Sequence, residues 1–391
     1  MKLTKRPFAF VLAVLFCLPA LASAQRPAQK TTPKAYWVYL GTYTGPKSKG
    51  IYSYRFSESP GRAAPVGLAA ETTNPSFLAI SPNQRFLFAV NEVADYEGGK
   101  SGAVSSFAID HKTGKLTLVS QVSSRGPGPC YLSLDMMGHF VLVANYDGGS
   151  VAALPVLQDG RLGNASAFVQ HAGHSVNPQR QEGPHAHCIE TDRSDRHAIA
   201  ADLGLDRLLV YHFGSKTGAL TPNQPPFAEV KPGSGPRHFA FDPTGRFLYL
   251  VDEMGSTIYA FSYDSNKGVL RPLQSISSLP KSFKGENYAA EIAVHPSGKF
   301  LYASNRGHDS IAVFAIDPAR HTLTPLEDVP TQGKFPRSFG ITPDGTYMFV
   351  ANQKSDNVVI FRIDQKSGRL TPTGQSLAVT SPVCVKFVSA E

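Results

Sequence analysis

His187, Arg237, Glu253 and Arg306 are side chains able to do chemistry, and they recur at matched places in a repeating plan. An imidazole or a carboxylate can take a proton from water or from carbon. Guanidinium groups can hold an anion, or the oxyanion that develops at an acyl carbon. The set suits hydrolysis of a lactone, or a related ring-opening or ring-closing step on an acidic sugar or dicarboxylate. In that chemistry His187 or Glu253 is the general base, and Arg237 and Arg306 face the negative charge. Arg337, His185, His238 and Glu92 are the neighbouring candidates for substrate binding. Each residue alone would serve equally well to satisfy a strand end. The group favours a site, because several charges buried together are costly without a ligand or a task.

The matched places follow from the hairpin Gly235 to Glu253. Its turn, Asp242-Pro243-Thr244-Gly245, has a proline that fixes φ and a glycine that accepts positive φ. Phe239 and Phe241 alternate before the turn, and Phe247 to Val251 form an apolar run that suits a strand buried on both faces. Folding back brings Arg237 and Glu253 to the same end. With Asp252 as marker, the plan recurs at Asn91, Asn145, Asp202, Asn305 and Asn352, at intervals of 54, 57, 50, 53 and 47 residues. The position fifteen residues before each marker holds Ser76, Cys130, His187, Arg237, Ala290 and Arg337. The position after it holds Glu92, Tyr146, Leu203, Glu253, Arg306 and Gln353. Strand alternation is expected to turn His238 and Glu291 away from the channel if these face in.

Repeats of this size built from strands alone predict an all-β, seven-bladed β-propeller with four antiparallel strands per blade. Six hairpins are complete. The seventh is split between Tyr36–Thr42 and Ser381–Phe387, so one blade shared by the two ends closes the ring and leaves no open sheet edge. Insertions at 92–101 and 160–184 interrupt the rhythm, and the second carries His171, His174 and Arg180. A loop of that length is expected to lie over one face of the disc.

Residues 1–24 read as a secretory signal peptide, with Lys2, Lys5 and Arg6 before an apolar stretch and Ala22-Ser23-Ala24 at its end. Residues 25–35 read as a disordered lead-in, and 36–391 as a single propeller domain. The expected location is therefore outside the cytoplasm, periplasmic or secreted, with no membrane attachment after cleavage. Removing the leader's three basic residues lowers the formal charge from +8 to +5. That surplus suits a small anionic substrate, and no clustered basic face points to nucleic acid. Nothing demands an oligomer, and a monomer is expected. Cys130, Cys188 and Cys384 fall at nearly the same place in three repeats, which reads as small buried residues and not a disulfide framework. No metal or organic cofactor is expected. Asn145, Asp202, Asp252 and Asn305 recur as strand-end groups more naturally than as a calcium ring.

Several motifs carry a family resemblance: Tyr39-Leu40-Gly41-Thr42-Tyr43-Thr44, Asn74-Pro75-Ser76-Phe77, Arg180-Gln181-Glu182-Gly183-Pro184-His185-Ala186-His187, Gly235-Pro236-Arg237-His238 and Ser304-Asn305-Arg306-Gly307-His308. From about Tyr36 onward the chain resembles the seven-bladed propeller lactonases, which include bacterial 6-phosphogluconolactonases of the cycloisomerase type and the fungal carboxymuconate cyclase. The resemblance implies a cofactor-free lactonase, and it puts the muconate enzyme's proposed histidine, glutamate and two arginines on His187, Glu253, Arg237 and Arg306. A lactonising cycloisomerase and a non-catalytic propeller that binds a ligand or protein are the alternatives. An export leader departs from the family's best-known substrate, which arises in the cytoplasm.

Overall fold

The computed structural model of the chain describes residues 1–4 and 34–390. The apolar stretch expected to be a leader, and nearly all of the expected lead-in, lie outside the described residues. No described helix is long and apolar enough to cross a membrane.

Residues 34–390 form seven four-stranded antiparallel sheets, as the repeat requires. The blade of the template hairpin runs from an innermost strand Pro236–Phe241 through Phe247–Asp252 and Thr257–Asp264 to an outer strand Val269–Ser277. The second strands Phe86–Asn91, Phe140–Asn145, His197–Asp202 and Tyr347–Asn352 are buried along their whole length. Each lies between two neighbouring blades, which accounts for the continuous apolar runs. Burying one Leu, Val or Phe side chain stabilises by roughly 1.5–3 kcal/mol, so these runs dominate cohesion. Outer strands such as Leu116–Ser123 and Val269–Ser277 are mostly exposed or half-buried, because one edge meets water.

The closing blade pairs Ala35–Thr42 with Pro382–Ala390, in register from Ala35↔Ala390 to Gly41↔Cys384, with a shift before Thr42↔Pro382. The strand begins at Ala35, one residue earlier than the lead-in expected from composition. Phe56 meets Tyr347 and Phe349 edge-on at 4.9 and 5.1 Å, joining this blade to the one before it in the ring. On the other side Trp37 Nε1 donates to the His111 carbonyl at 2.9 Å.

The markers are structural. Asn91, Asn145, Asn305 and Asn352 each donate through Nδ2 to a carbonyl at the end of the preceding blade, those of Thr73, Ser124, Ser278 and Thr331. The three described cysteines are buried and free.

One feature of the innermost strands was absent from the sequence expectation. The register jumps between Pro129 and Tyr131, Ala186 and Cys188, Pro236 and His238, Ala289 and Ile292, and Pro336 and Ser338. Cys130, His187, Arg237, Ala290 and Arg337 are thus bulge residues, and two successive side chains there oppose one on the partner strand.

Candidate active site

The bulges decide which side chains meet at the mouth of the channel. Arg237 Nε lies 3.1 Å from Glu253 Oε2, and Arg306 Nη2 reaches the same oxygen at 2.6 Å. Arg180, from the long insertion, contacts Glu253 Oε1 at 2.7 Å. Burial by itself would raise the Glu253 carboxyl, but Arg306 and Arg237, with a hydrogen bond from Arg180, outweigh it and hold the group well below the usual carboxylate range. Glu253 is therefore an ionised anchor for three cations.

The two arginines spend most of their donors inside the protein. Arg237 Nη1 also donates to the Ala290 carbonyl at 2.5 Å, and Arg306 Nε donates to the Tyr288 carbonyl at 3.1 Å. Arg337 differs. Among the described residues its guanidinium has no hydrogen-bonding partner, and it lies half-buried 5.5 Å from the centre of the Tyr43 ring. Burial opposes its charge, but Tyr43, Glu92 and Glu253 more than compensate and keep it protonated.

His187 is buried among aromatic and cationic neighbours. Its ring lies 5.4 Å from that of Tyr146 and 5.1 Å from that of His238, and its Nδ1 is 3.6 Å from Cys130 Sγ. Nε2 has no protein partner among the described residues. Burial, then the charge of Arg237, pushes the imidazole well below its ordinary value, so it is neutral near pH 7.

The bulge overturns the expectation for His238 and Glu291. At Arg237 two consecutive side chains point inward, so His238 is also buried at the channel, with Nε2 3.4 Å from Arg237 Nη1. Its Nδ1 faces Glu291 Oε1 at 3.0 Å, and Ser338 Oγ donates to Glu291 Oε2 at 3.1 Å. Glu291, whose carboxyl is pushed up by burial, also borders a cavity of about 590 Å³ lined by Phe77, Tyr131, Phe239 and Phe387.

The remaining candidates lie at the rim. His185 stacks on Tyr146, with centroids 4.6 Å apart, and its Nδ1 is 3.0 Å from the Tyr146 carbonyl. Glu92 accepts from Tyr43 at 2.9 Å and from the Ser76 hydroxyl. The repeat assigns no site role to Tyr43 or Arg180, although both stand in the family motifs. Tyr43 follows Thr42, which occupies the marker position of the split seventh blade, and aligning the two ends would have found it. Arg180 has no equivalent in other repeats. His171, in the same insertion, is structural: Nδ1 meets Asp202 Oδ2 at 2.6 Å and Nε2 meets the Tyr211 hydroxyl at 2.8 Å.

No group of described histidine, cysteine and acidic residues is arranged to hold a metal ion. The arrangement can do proton transfer and anion stabilisation, on the bulges of a propeller.

The comparisons with known proteins give the class. Residues 37–387 match the family described as "Lactonase, 7-bladed beta-propeller". The chain belongs to the seven-bladed β-propeller lactonase family. A Bacillus subtilis protein named 6-phosphogluconolactonase is 36% identical over 304 residues, 78% of this chain and 84% of that one. The periplasmic gluconolactonase PpgL of Pseudomonas aeruginosa superposes with a TM-score of 0.85 at 36% identity, over 91% of this chain and all of the other. A putative 6-phosphogluconolactonase from Bacteroides fragilis gives 0.84 at 36% identity, over 93% of this chain and 100% of the other.

Proposed function

We propose that the protein hydrolyses a sugar-acid lactone at this mouth, with His187 as general base and Arg337 as the group that receives the developing oxyanion. The observation that carries the reading is a neutral, buried imidazole that feels the charge of a guanidinium, Arg337, which makes no hydrogen bond among the described residues. His187 Nε2 takes a proton from water as the oxygen attacks the lactone carbonyl carbon. Negative charge moves to the carbonyl oxygen, where Arg337 meets it. Collapse breaks the ring C–O bond, and the imidazolium returns its proton to the leaving alkoxide. The product is an open-chain hydroxy acid, whose carboxyl loses a proton to solvent.

Glu253 is less suited to the base role, because a carboxylate held so far below its usual range binds protons weakly. It fixes Arg237 and Arg306, and through them the floor of the mouth. His185 and Glu92 line the approach, and His238 packs against His187 and Arg237. Residues 1–24 are the export leader in this reading, in keeping with the periplasmic description of the Pseudomonas relative.

Proton release at constant pH tests the proposal on 6-phosphogluconolactone, gluconolactone and a carboxymuconolactone. Turnover of at least one is expected, with kcat reduced about 10²–10⁴-fold in His187→Ala. Background rates for all three substrates in the wild type, or an unchanged rate in His187→Ala, would contradict it.

A further inference from the structure

Phe335 occupies a backbone position that suits other residues better. In five of the seven blades the residue before the proline that opens the innermost strand has positive φ: Asn74 at 43°, Gly128 at 63°, Gly235 at 70°, Phe335 at 62° and Ser381 at 49°. Glycine, asparagine and serine are small or able to bond locally, and a bulky aromatic there is a conformational outlier. The fold imposes this conformation through a repeated device. Asp206 Oδ1 accepts from the Gly235 amide at 2.7 Å, and Asp309 Oδ1 and Asp356 Oδ1 accept from those of Phe335 and Ser381 at 2.8 Å. What differs in this blade is the side chain, and strain of this kind persists where the residue has a use.

The Phe335 ring gathers cations. Lys354 Nζ stands 3.9 Å from its centroid and the Arg306 guanidinium carbon 5.1 Å. These groups line a cavity of about 410 Å³ shared with Tyr288 and Lys334. Arg306 is answered by Glu253, and Lys334 by Asp309 at 3.1 Å. Lys354 has no acidic partner among the described residues, although exposed Glu286 is on the rim. Arg306 lines this cavity and bonds to Glu253 of the catalytic mouth, which sets the two side by side.

Resting on the lactone-hydrolysis reading, we infer that Phe335, Lys354 and Arg306 form a second subsite beside the reacting centre, which takes an anionic group carried by the substrate away from its lactone carbonyl. The group is a phosphate or a carboxylate. Phe335 is then a specificity-determining residue that holds two cations against its ring.

Calorimetric titration with open-chain acids tests this without turnover. The probes are 6-phosphogluconate, glucarate and gluconate, against the wild type, Lys354→Ala and Phe335→Asn. At least one of the first two is expected to bind the wild type tenfold or more tightly than gluconate. A gain confined to 6-phosphogluconate assigns the subsite to phosphate; a gain with glucarate assigns it to carboxylate. The gap shrinks at least fivefold in Lys354→Ala and in Phe335→Asn. Phe335→Asn also melts at the same or a higher temperature, because asparagine accepts the left-handed backbone; a purely structural phenylalanine would instead give a lower one. Equal affinities in the wild type, a gap that survives both variants, or no binding at all would overturn the subsite. Tight binding of 6-phosphogluconate without hydrolysis of any lactone would instead sink the hydrolysis reading and leave the subsite standing.

Discussion

Two positions one residue apart behave in opposite ways around the ring. The marker position is nearly uniform, Asn or Asp in the six complete hairpins, and four of its asparagines tie the same kind of strand-end carbonyl. The next position holds Glu, Tyr, Leu, Glu, Arg and Gln, and the bulge column opposite it is as varied. Sameness across the repeats marks what every blade needs in order to stand. Difference marks what the mouth needs once, since seven blades supply one site. The comparison separates stability from chemistry without reference to any other protein.

Substitutions in the two columns test this division. The largest effect on stability is expected from Glu253→Gln, which leaves Arg180, Arg237 and Arg306 around a neutral group. Removing one partner from a buried ion cluster costs about 3–5 kcal/mol, read as the shift in urea midpoint. A loss below about 1 kcal/mol would mean that the cations find other partners. Asn145→Ala should cost about 1–3 kcal/mol by leaving the Ser124 carbonyl unpaired, while kcat/KM stays within threefold of wild type. A large catalytic loss there would erase the distinction between the two columns.

Asp252 is the exception among the markers: among the described residues both its carboxylate oxygens are buried without a hydrogen bond of normal geometry, and the Ser234 hydroxyl is the one polar neighbour that favours its charge. Burial pushes its carboxyl well above the usual range. A raised carboxyl adds stability that is complete below the unfolded value and is lost as pH rises. Asp252→Asn should therefore stabilise by about 1 kcal/mol at pH 7, with the gain shrinking toward pH 4. An Asn variant less stable than wild type at pH 7 would show that Asp252 has a charged partner.

The smallest expected effect is on pH dependence. His187 and His238 are both pushed down by burial and by arginine charge. A depressed histidine contributes stability that is present above its unfolded value of about 6.5 and is lost as pH falls through the folded value. The acid limb of kcat/KM should likewise lie below about 6.5. A limb at or above that value would place the base elsewhere.

Much of this organisation was legible in the sequence. The repeat, the split blade and the convergence of His187, Arg237, Glu253 and Arg306 follow from apolar runs, turn residues and antiparallel geometry. The bulges do not, because one extra residue in a short innermost strand leaves the apolar spacing almost unchanged, and so His238 and Glu291 were assigned to the wrong side. Tyr43 was hidden by the division of its blade between the two ends of the chain. Arg180 lies in an insertion with no counterpart to align. The role of Arg337 depended on seeing that Arg237 and Arg306 are already occupied, which no sequence pattern conveys.

The most direct test of the central claim is a double-mutant cycle on kcat/KM for a hydrolysed lactone, using His187→Ala, Arg337→Gln and both together. If base and oxyanion partner serve one transition state, each single variant loses most of the activity and the double variant is little worse than the poorer single. Losses that multiply, or an Arg337→Gln enzyme with wild-type kcat/KM, would contradict the account.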